Sequence, residues 1–93
     1  MTIYQSRSFA QKVKKMLKQE KEILDQEVQR IVQNPSIGDM KKGDLTGVFV
    51  HKFKIQTIQY LLAYRKVGQD LGLVMFGPHE NYDRDIKQYL KNE

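Results

Sequence analysis

Val48-Phe49-Val50-His51-Lys52-Phe53-Lys54-Ile55, a link of Gln56-Thr57, and then Ile58-Gln59-Tyr60-Leu61-Leu62-Ala63-Tyr64-Arg65 form the stretch on which the fold turns. Side chains on a strand alternate between two faces, so Phe49, Phe53 and Ile55 share one side of the first run while Lys52 and Lys54 share the other. That strand has an oily side and a basic side. His51 falls with Phe49 and Phe53, which reads as a partly buried structural histidine. The two-residue link has the length of a tight hairpin, although it lacks the usual Asn-Gly pair. Tyr60 and Tyr64, at strand spacing, read as core. A further turn lies between Gly68 and Gly72, and Leu71 to Phe76 is nearly all apolar, as an inner strand requires. Gly77-Pro78 closes that strand. From Glu80 onward, Tyr82, Ile86, Tyr89 and Leu90 recur at helical spacing and predict a short amphipathic helix.

Upstream the composition changes. Residues 8 to 34 contain neither Gly nor Pro, whereas all six glycines fall after them. Thr2 to Gln5 is a candidate opening strand, and Ser6 or Ser8 can cap a helix carrying Phe9, Val13, Met16 and Leu17. A second apolar set of Ile23, Leu24, Val28, Ile31 and Val32 continues the helical period. One unbroken helix from Ser8 to Gln33 would be about 39 Å long at 1.5 Å per residue, longer than a domain of this size is wide. The expectation is therefore a helical hairpin turning near Lys18 to Glu22. Asn34-Pro35 ends the helix, since proline excludes its predecessor from the α region. Ser36 to Asp44 reads as loop. The order of elements predicts one α+β domain over 1–93, with two N-terminal helices packed on one face of a small antiparallel sheet and a short C-terminal helix.

The 93 residues suffice for one core and not for two. A composition 40% hydrophobic and 29% charged is that of a soluble globular chain. No apolar run is long enough to span a membrane, and Met1 to Ala10 lacks the order of a secretory signal, which makes the cytoplasm the expected location. With no cysteine, thiol catalysis, disulfides and cysteine-based metal sites are excluded. Two histidines far apart and no clustered carboxylates argue against a zinc site, and no phosphate-binding glycine loop or nucleophile elbow is present. No cofactor and no metal are expected. Sixteen Lys and Arg against eleven Asp and Glu leave a charge of +5, which favours an anionic partner.

Lys52 and Lys54 should face away from the helices, with Arg65 bordering them at the end of the adjacent strand and the Gly77-Pro78-His79-Glu80 loop ending a neighbouring one. Such a surface suits a phosphodiester. RNA cleavage needs a base for the 2′-hydroxyl, cations for the charge growing on phosphorus and an acid for the departing 5′-oxygen. His79 can take either proton-transfer role, Lys52, Lys54 and Arg84 can hold the phosphate, and Tyr82 can stack on a base or donate its hydroxyl. Plainer readings stand beside these: a solvated strand face for the lysines and a helix-capping role for His79. Glu80, Asp83 and Asp85 suit the start of a helix. Lys12, Lys14, Lys15, Lys18 and Lys21 read as a solvated helix face.

Lys41-Lys42-Gly43-Asp44-Leu45-Thr46-Gly47-Val48, His51 to Lys54, Tyr60 to Tyr64 and Gly77 to Asp85 together resemble the RelE/ParE superfamily of bacterial toxins. The resemblance implies the toxic half of a type II toxin–antitoxin pair, built as a small antiparallel sheet of about four strands curved around two helices. RelE-like members cut messenger RNA on the ribosome without a metal; ParE-like members inhibit DNA gyrase; both are neutralised by an antitoxin that is usually acidic. It implies that Lys52 and Lys54 line the cleft and that Tyr82 or Tyr89 stands for a C-terminal tyrosine; Lys41, Lys42, Arg65 and Arg84 are the residues expected to contact RNA. The pattern departs at Leu61 and at His79, where the RelE-like pattern carries arginines. The leading expectation is a ribosome-dependent mRNA endonuclease, with His79 as general acid or base and Tyr82 stacking. A gyrase inhibitor and a degenerate toxin that only binds its antitoxin are the alternatives.

Overall fold

The computed structural model describes residues 2–40 and 47–79. In chain order these form β1 (Ile3–Gln5), α1 (Arg7–Lys14), α2 (Lys18–Gln33), β2 (Asp39–Met40), β3 (Phe49–Ile55), β4 (Ile58–Val67) and β5 (Asp70–Pro78). The strands make one five-stranded sheet in the order β1-β5-β4-β3-β2, and both helices pack on a single face of it. The expected C-terminal helix falls outside the described residues.

Ser6 joins the first strand to the first helix. Its N–H donates to the Leu73 carbonyl at 2.9 Å, and its Oγ accepts from the Phe9 N–H at 3.0 Å as the helix N-cap. The same hydroxyl donates to the Val74 carbonyl at 2.5 Å. A cap of this kind contributes about 1 kcal/mol, and here it also fixes where α1 leaves the sheet. β1 runs parallel to β5, with Ile3, Tyr4 and Gln5 opposite Leu71, Gly72 and Leu73. An all-antiparallel sheet of four strands is thereby corrected to a mixed sheet of five. Short links enforce antiparallel pairing only between consecutive strands, and β1 is separated from β5 by both helices and the three strands β2, β3 and β4.

The helices part at Lys15-Met16-Leu17, before the Lys18 to Glu22 stretch expected to turn. Lys18 to Glu22 is instead the start of α2. The break needs no glycine. Lys15 and Met16 donate back to the carbonyls of Lys12 and Val13 at 3.1 Å, tightening the end of α1. The Glu20 carboxylate then accepts the Leu17 N–H at 2.8 Å and starts α2. The longest extent of the molecule is 33 Å, too short for one continuous helix. Phe9 on α1 and Leu24, Val28 and Ile31 on α2 are buried against Phe49, Phe53, Ile55, Leu62, Tyr64, Leu71, Leu73 and Phe76 of the sheet.

β3 and β4 pair across Gln56-Thr57 with Ile55 opposite Ile58, and Gln56 takes a positive φ of 57° where glycine is usual. Between β4 and β5 the register slips: Ala63 faces Met75 whereas Tyr64 faces Leu73, leaving Val74 as a bulge. The bulge lets Leu73 and Phe76 both face the helices and turns Val74 and Met75 outward. There they join Val48, Val50, Leu61 and Ala63 in a second buried cluster on the other side of the sheet. Both faces of the sheet centre are therefore apolar.

The segment after α2 is held by Tyr64, whose hydroxyl donates to the Pro35 carbonyl at 2.8 Å and accepts the Gly38 N–H at 3.0 Å. A Cβ on Gly38 would stand 2.9 Å from that hydroxyl and 3.0 Å from the Val50 backbone, so glycine is required by close approach. This fastening lays Asp39 and Met40 against Val50 and Phe49 as a two-residue edge strand where the sequence suggested only loop. Burial pushes the Tyr64 hydroxyl above its ordinary 10.0, opposed by the Gly38 N–H and assisted by the charge of Asp39.

Gly38→Ala should cost about 1–3 kcal/mol through overpacking, and Tyr64→Phe a similar amount by leaving the Gly38 N–H unpaired, both read from urea unfolding. Because the folded Tyr64 value is raised, its contribution is complete below pH 10.0 and is lost as pH rises through the folded value. Tyr64→Phe should therefore lose less stability above pH 10.0 than the wild type does.

Candidate functional site

Lys52 and Lys54 emerge from the sheet face opposite the helices, and both are exposed. Their positions follow from the β3–β4 register, in which Lys54 faces Gln59 and Lys52 faces Leu61. Continuing across β5, Leu61 faces Gly77 and Tyr60 faces Pro78, so His79 follows one step further along, beside Gln59. Thr57, Ile58, Gln59, Pro78 and His79 line one cavity of about 480 Å³. Lys54, Gln59 and His79 thus form a row across three strands. At about 4.8 Å between neighbouring strands, the backbones of Lys54 and His79 stand roughly 10 Å apart. A lysine side chain spans much of that, so an anion lying over Gln59 is within reach of both ends of the row.

The face differs along its length. At its centre Val50, Leu61, Ala63, Val74 and Met75 are buried, and Leu61 is only 5% exposed between Lys52 and Gly77. At the hairpin end Lys52, Lys54, Gln59 and His79 are exposed, and among the described residues no hydrogen bond or ion pair occupies them. This end can bind an anion and, through the imidazole, move a proton.

Other expected members lie elsewhere. Arg65 faces Gly72 at the opposite end of β4, six residues from Gln59 and roughly 20 Å away at 3.4 Å per residue. It therefore does not border the lysines. Lys41, Lys42, Tyr82, Tyr89 and Arg84 lie outside the described residues, as do Glu80, Asp83 and Asp85. His51 points to the helices, is buried, and meets the Glu27 carboxylate through Nε2 at 2.7 Å while stacking on Phe53. The structural reading of His51 holds. Among the described residues no three metal-ligating side chains come together, and no described helix is long and apolar enough to cross a membrane.

Two residues were missed. Gln59, at the centre of the row, was read only as strand, although counting back from a two-residue hairpin sets it opposite Lys54. Lys12 was assigned to a solvated face. Its Nζ instead donates to the Phe76 carbonyl at 2.8 Å, lies 5.9 Å from that ring's centroid, and approaches within 3.2 Å of where a Gly77 Cβ would sit. β1 covers the β5 edge only as far as Leu73, so the carbonyls beyond it need donors, and α1 supplies Ser6 and Lys12.

The chain matches, over residues 3–87, the family model of the ParE-like toxin of type II bacterial toxin–antitoxin systems. No curated protein sequence matches it. Among solved structures, the intact Escherichia coli RelBE toxin–antitoxin complex contains a chain that superposes with a TM-score of 0.67 at 16% identity, covering 85% of this chain and 96% of that one. The isolated Escherichia coli RelE toxin superposes with a TM-score of 0.65 at 16% identity, covering 94% and 96%. At this identity the likeness is one of fold.

Glu27→Ala should leave His51 buried without a partner and cost about 1–3 kcal/mol in urea unfolding, while leaving the outer-face row and whatever it binds unaffected. An equal loss of binding and stability would place His51 in the site.

Proposed function

The chain belongs to the ParE-like toxins of type II bacterial toxin–antitoxin systems, and from that premise we propose that it is a ribosome-dependent, metal-independent mRNA endonuclease acting in the cytoplasm. The observation that carries this reading is the exposed row itself: two lysines side by side on β3 and an imidazole two strands away, with no competing partner among the described residues. In the reaction the ribose 2′-oxygen attacks the adjacent phosphorus, the O2′–P bond forms and the P–O5′ bond breaks. The products are a 2′,3′-cyclic phosphate and a free 5′-hydroxyl. One proton leaves O2′ and one arrives at O5′. His79 handles one of these transfers, and Lys52 and Lys54 stabilise the charge growing on the non-bridging oxygens. Tyr82, outside the described residues, is proposed to stack on a neighbouring base.

The partner proposed for this surface is an acidic antitoxin. A disordered acidic segment that folds on a basic face gains affinity from complementary charge, and the +5 chain offers that face. The similar fold found within the RelBE toxin–antitoxin complex supports this pairing.

Leu61 favours a second reading. An apolar side chain 5% exposed occupies the position where the RelE-like pattern has an arginine, which weakens transition-state stabilisation but does not hinder a protein that inhibits gyrase by binding. Transcript integrity and gyrase supercoiling measured on the same induced cells separate the two: intact transcripts with inhibited supercoiling reject the nuclease.

On the leading reading, His79→Ala should lower cleavage of translated mRNA by roughly 10²–10⁴-fold, and Lys54→Ala should also relieve growth arrest. Both residues are exposed, so circular dichroism and thermal unfolding should not change. Two fully toxic, folded variants would show the cleft to be misassigned.

A further inference from the structure

The strand that delivers His79 is held at its end by a side chain far away in sequence. β1 accompanies β5 only as far as Leu73, and past that point Ser6 Oγ donates to the Val74 carbonyl and Lys12 Nζ to the Phe76 carbonyl, the latter at 2.8 Å. Among the described residues Lys12 is the last donor bonded to that edge before His79, which follows Phe76 by three positions. Pro78, which shares the edge of Phe76 because backbone groups alternate along a strand, has no N–H with which to make a further tie there. On its other edge β5 stays paired with β4 as far as Pro78 opposite Tyr60. Loss of the lysine bond would therefore leave β5 in the sheet and loosen only its end.

The tie sits where the core lets go. Phe76 and Gly77 are buried, whereas Pro78 and His79 are exposed. Lys12 itself is half-buried, and its ammonium lies 5.9 Å from the centroid of the ring whose carbonyl it holds. A bond from a charged donor is stronger than a neutral one, so α1 fixes the Phe76 carbonyl firmly. Placement matters to a group that moves a proton, since a displacement of about 1 Å costs on the order of 100-fold in rate. Resting on the nuclease reading above, we propose that Lys12 is a positioning residue for His79: it holds the end of β5 from α1 and so sets where the imidazole stands relative to the phosphate, which it does not itself touch. Lys52 and Lys54, on β3, hold that phosphate independently of it.

The test follows cleavage of mRNA on programmed ribosomes by the full-length protein over a range of concentrations, for the wild type, Lys12→Met, Lys12→Arg, His79→Ala and the Lys12→Met/His79→Ala pair. Methionine keeps an unbranched stem beside Phe76 and removes the donor, whereas arginine keeps a charged donor. Lys12→Met should lower the maximal rate roughly 10- to 100-fold with the half-saturating concentration unchanged, and Lys12→Arg should recover most of that loss. In the His79→Ala background Lys12→Met should cost nothing more, because effects that pass through one group do not add. Gly77→Ala provides a second route to the same displacement: its Cβ would stand 3.2 Å from Lys12 Nζ and, among the described residues, meets nothing else within 4 Å beyond its chain neighbours. It should show a smaller loss of the same kind, and it decides the matter if Lys12→Met fails to fold. A raised half-saturating concentration, or a further loss on top of His79→Ala, would make Lys12 a ligand of the RNA and overturn the inference. So would wild-type rates in every folded variant at positions 12 and 77. A wild type that makes no cuts rejects the nuclease reading, and this role with it; a cutting wild type with unaffected variants removes only the role of Lys12.

Discussion

Ile55 faces Ile58 across two residues, and this closure sets every pairing between β3 and β4. Strand side chains alternate, so a slip by one residue would exchange the two faces completely. Lys52 and Lys54 would be driven into the helices, and His51 would lose Glu27. The register is secured from both sides: Phe53 and Tyr60 stack inward with centroids 5.9 Å apart, and Phe49 stacks on Tyr64 at 5.4 Å. Gln56 holds a left-handed φ of 57° to close the loop, a conformation costing of order 1 kcal/mol for a residue with a Cβ. That strain is tolerable because so many inward contacts depend on the alignment.

The second constraint is the edge of β5. β1 covers its first part, and past Leu73 the strand would present bare carbonyls. α1 lies along that edge and satisfies it with side chains, Ser6 at Val74 and Lys12 at Phe76. An open edge invites pairing with another chain, and two polar side chains close this one without a further strand. The same arrangement holds the end of β5 in place, and with it Pro78 and the His79 that follows. Thus the N-terminal helix, remote in sequence from the proposed site, positions one end of the row.

The legible parts of the sequence are those governed by local periodicity. The oily and basic sides of β3, the inward His51, the end of α2 at Asn34 and two helices in place of one all follow from spacing, proline chemistry and length. What stayed hidden depends on partners distant in the chain. Nothing in Thr2 to Gln5 says that it will lie parallel to Leu71 to Leu73, and nothing in Lys12 reveals a carbonyl waiting on β5. The helix break was displaced because it rests on one carboxylate, Glu20, reaching back to an N–H, a signal no stronger than its neighbours. Arg65, expected to border the lysines from the adjacent strand, lies six residues along β4 from the Gln59 that faces Lys54. Gln59 was recoverable, since the hairpin count alone sets it opposite Lys54.

The outer face resolves a competition between hydrophobic and cationic surface. Val50, Leu61, Ala63, Val74 and Met75 bury apolar area at its centre, and a guanidinium in place of Leu61 would have to be desolvated among them. The cluster therefore confines the unpartnered cations of β3 to one end of the sheet. Among the described residues a patch of that size meets few phosphates, and affinity for a polyanion rises with the number it neutralises. On the proposed reading, such a protein binds free RNA weakly and at ordinary salt depends on another body to bring the strand to it. A ribosome that threads mRNA past a fixed point supplies that, trading the affinity the apolar cluster excludes for local concentration. On that reading, the small size of the basic row among the described residues is a physical reason for the proposed dependence on the ribosome.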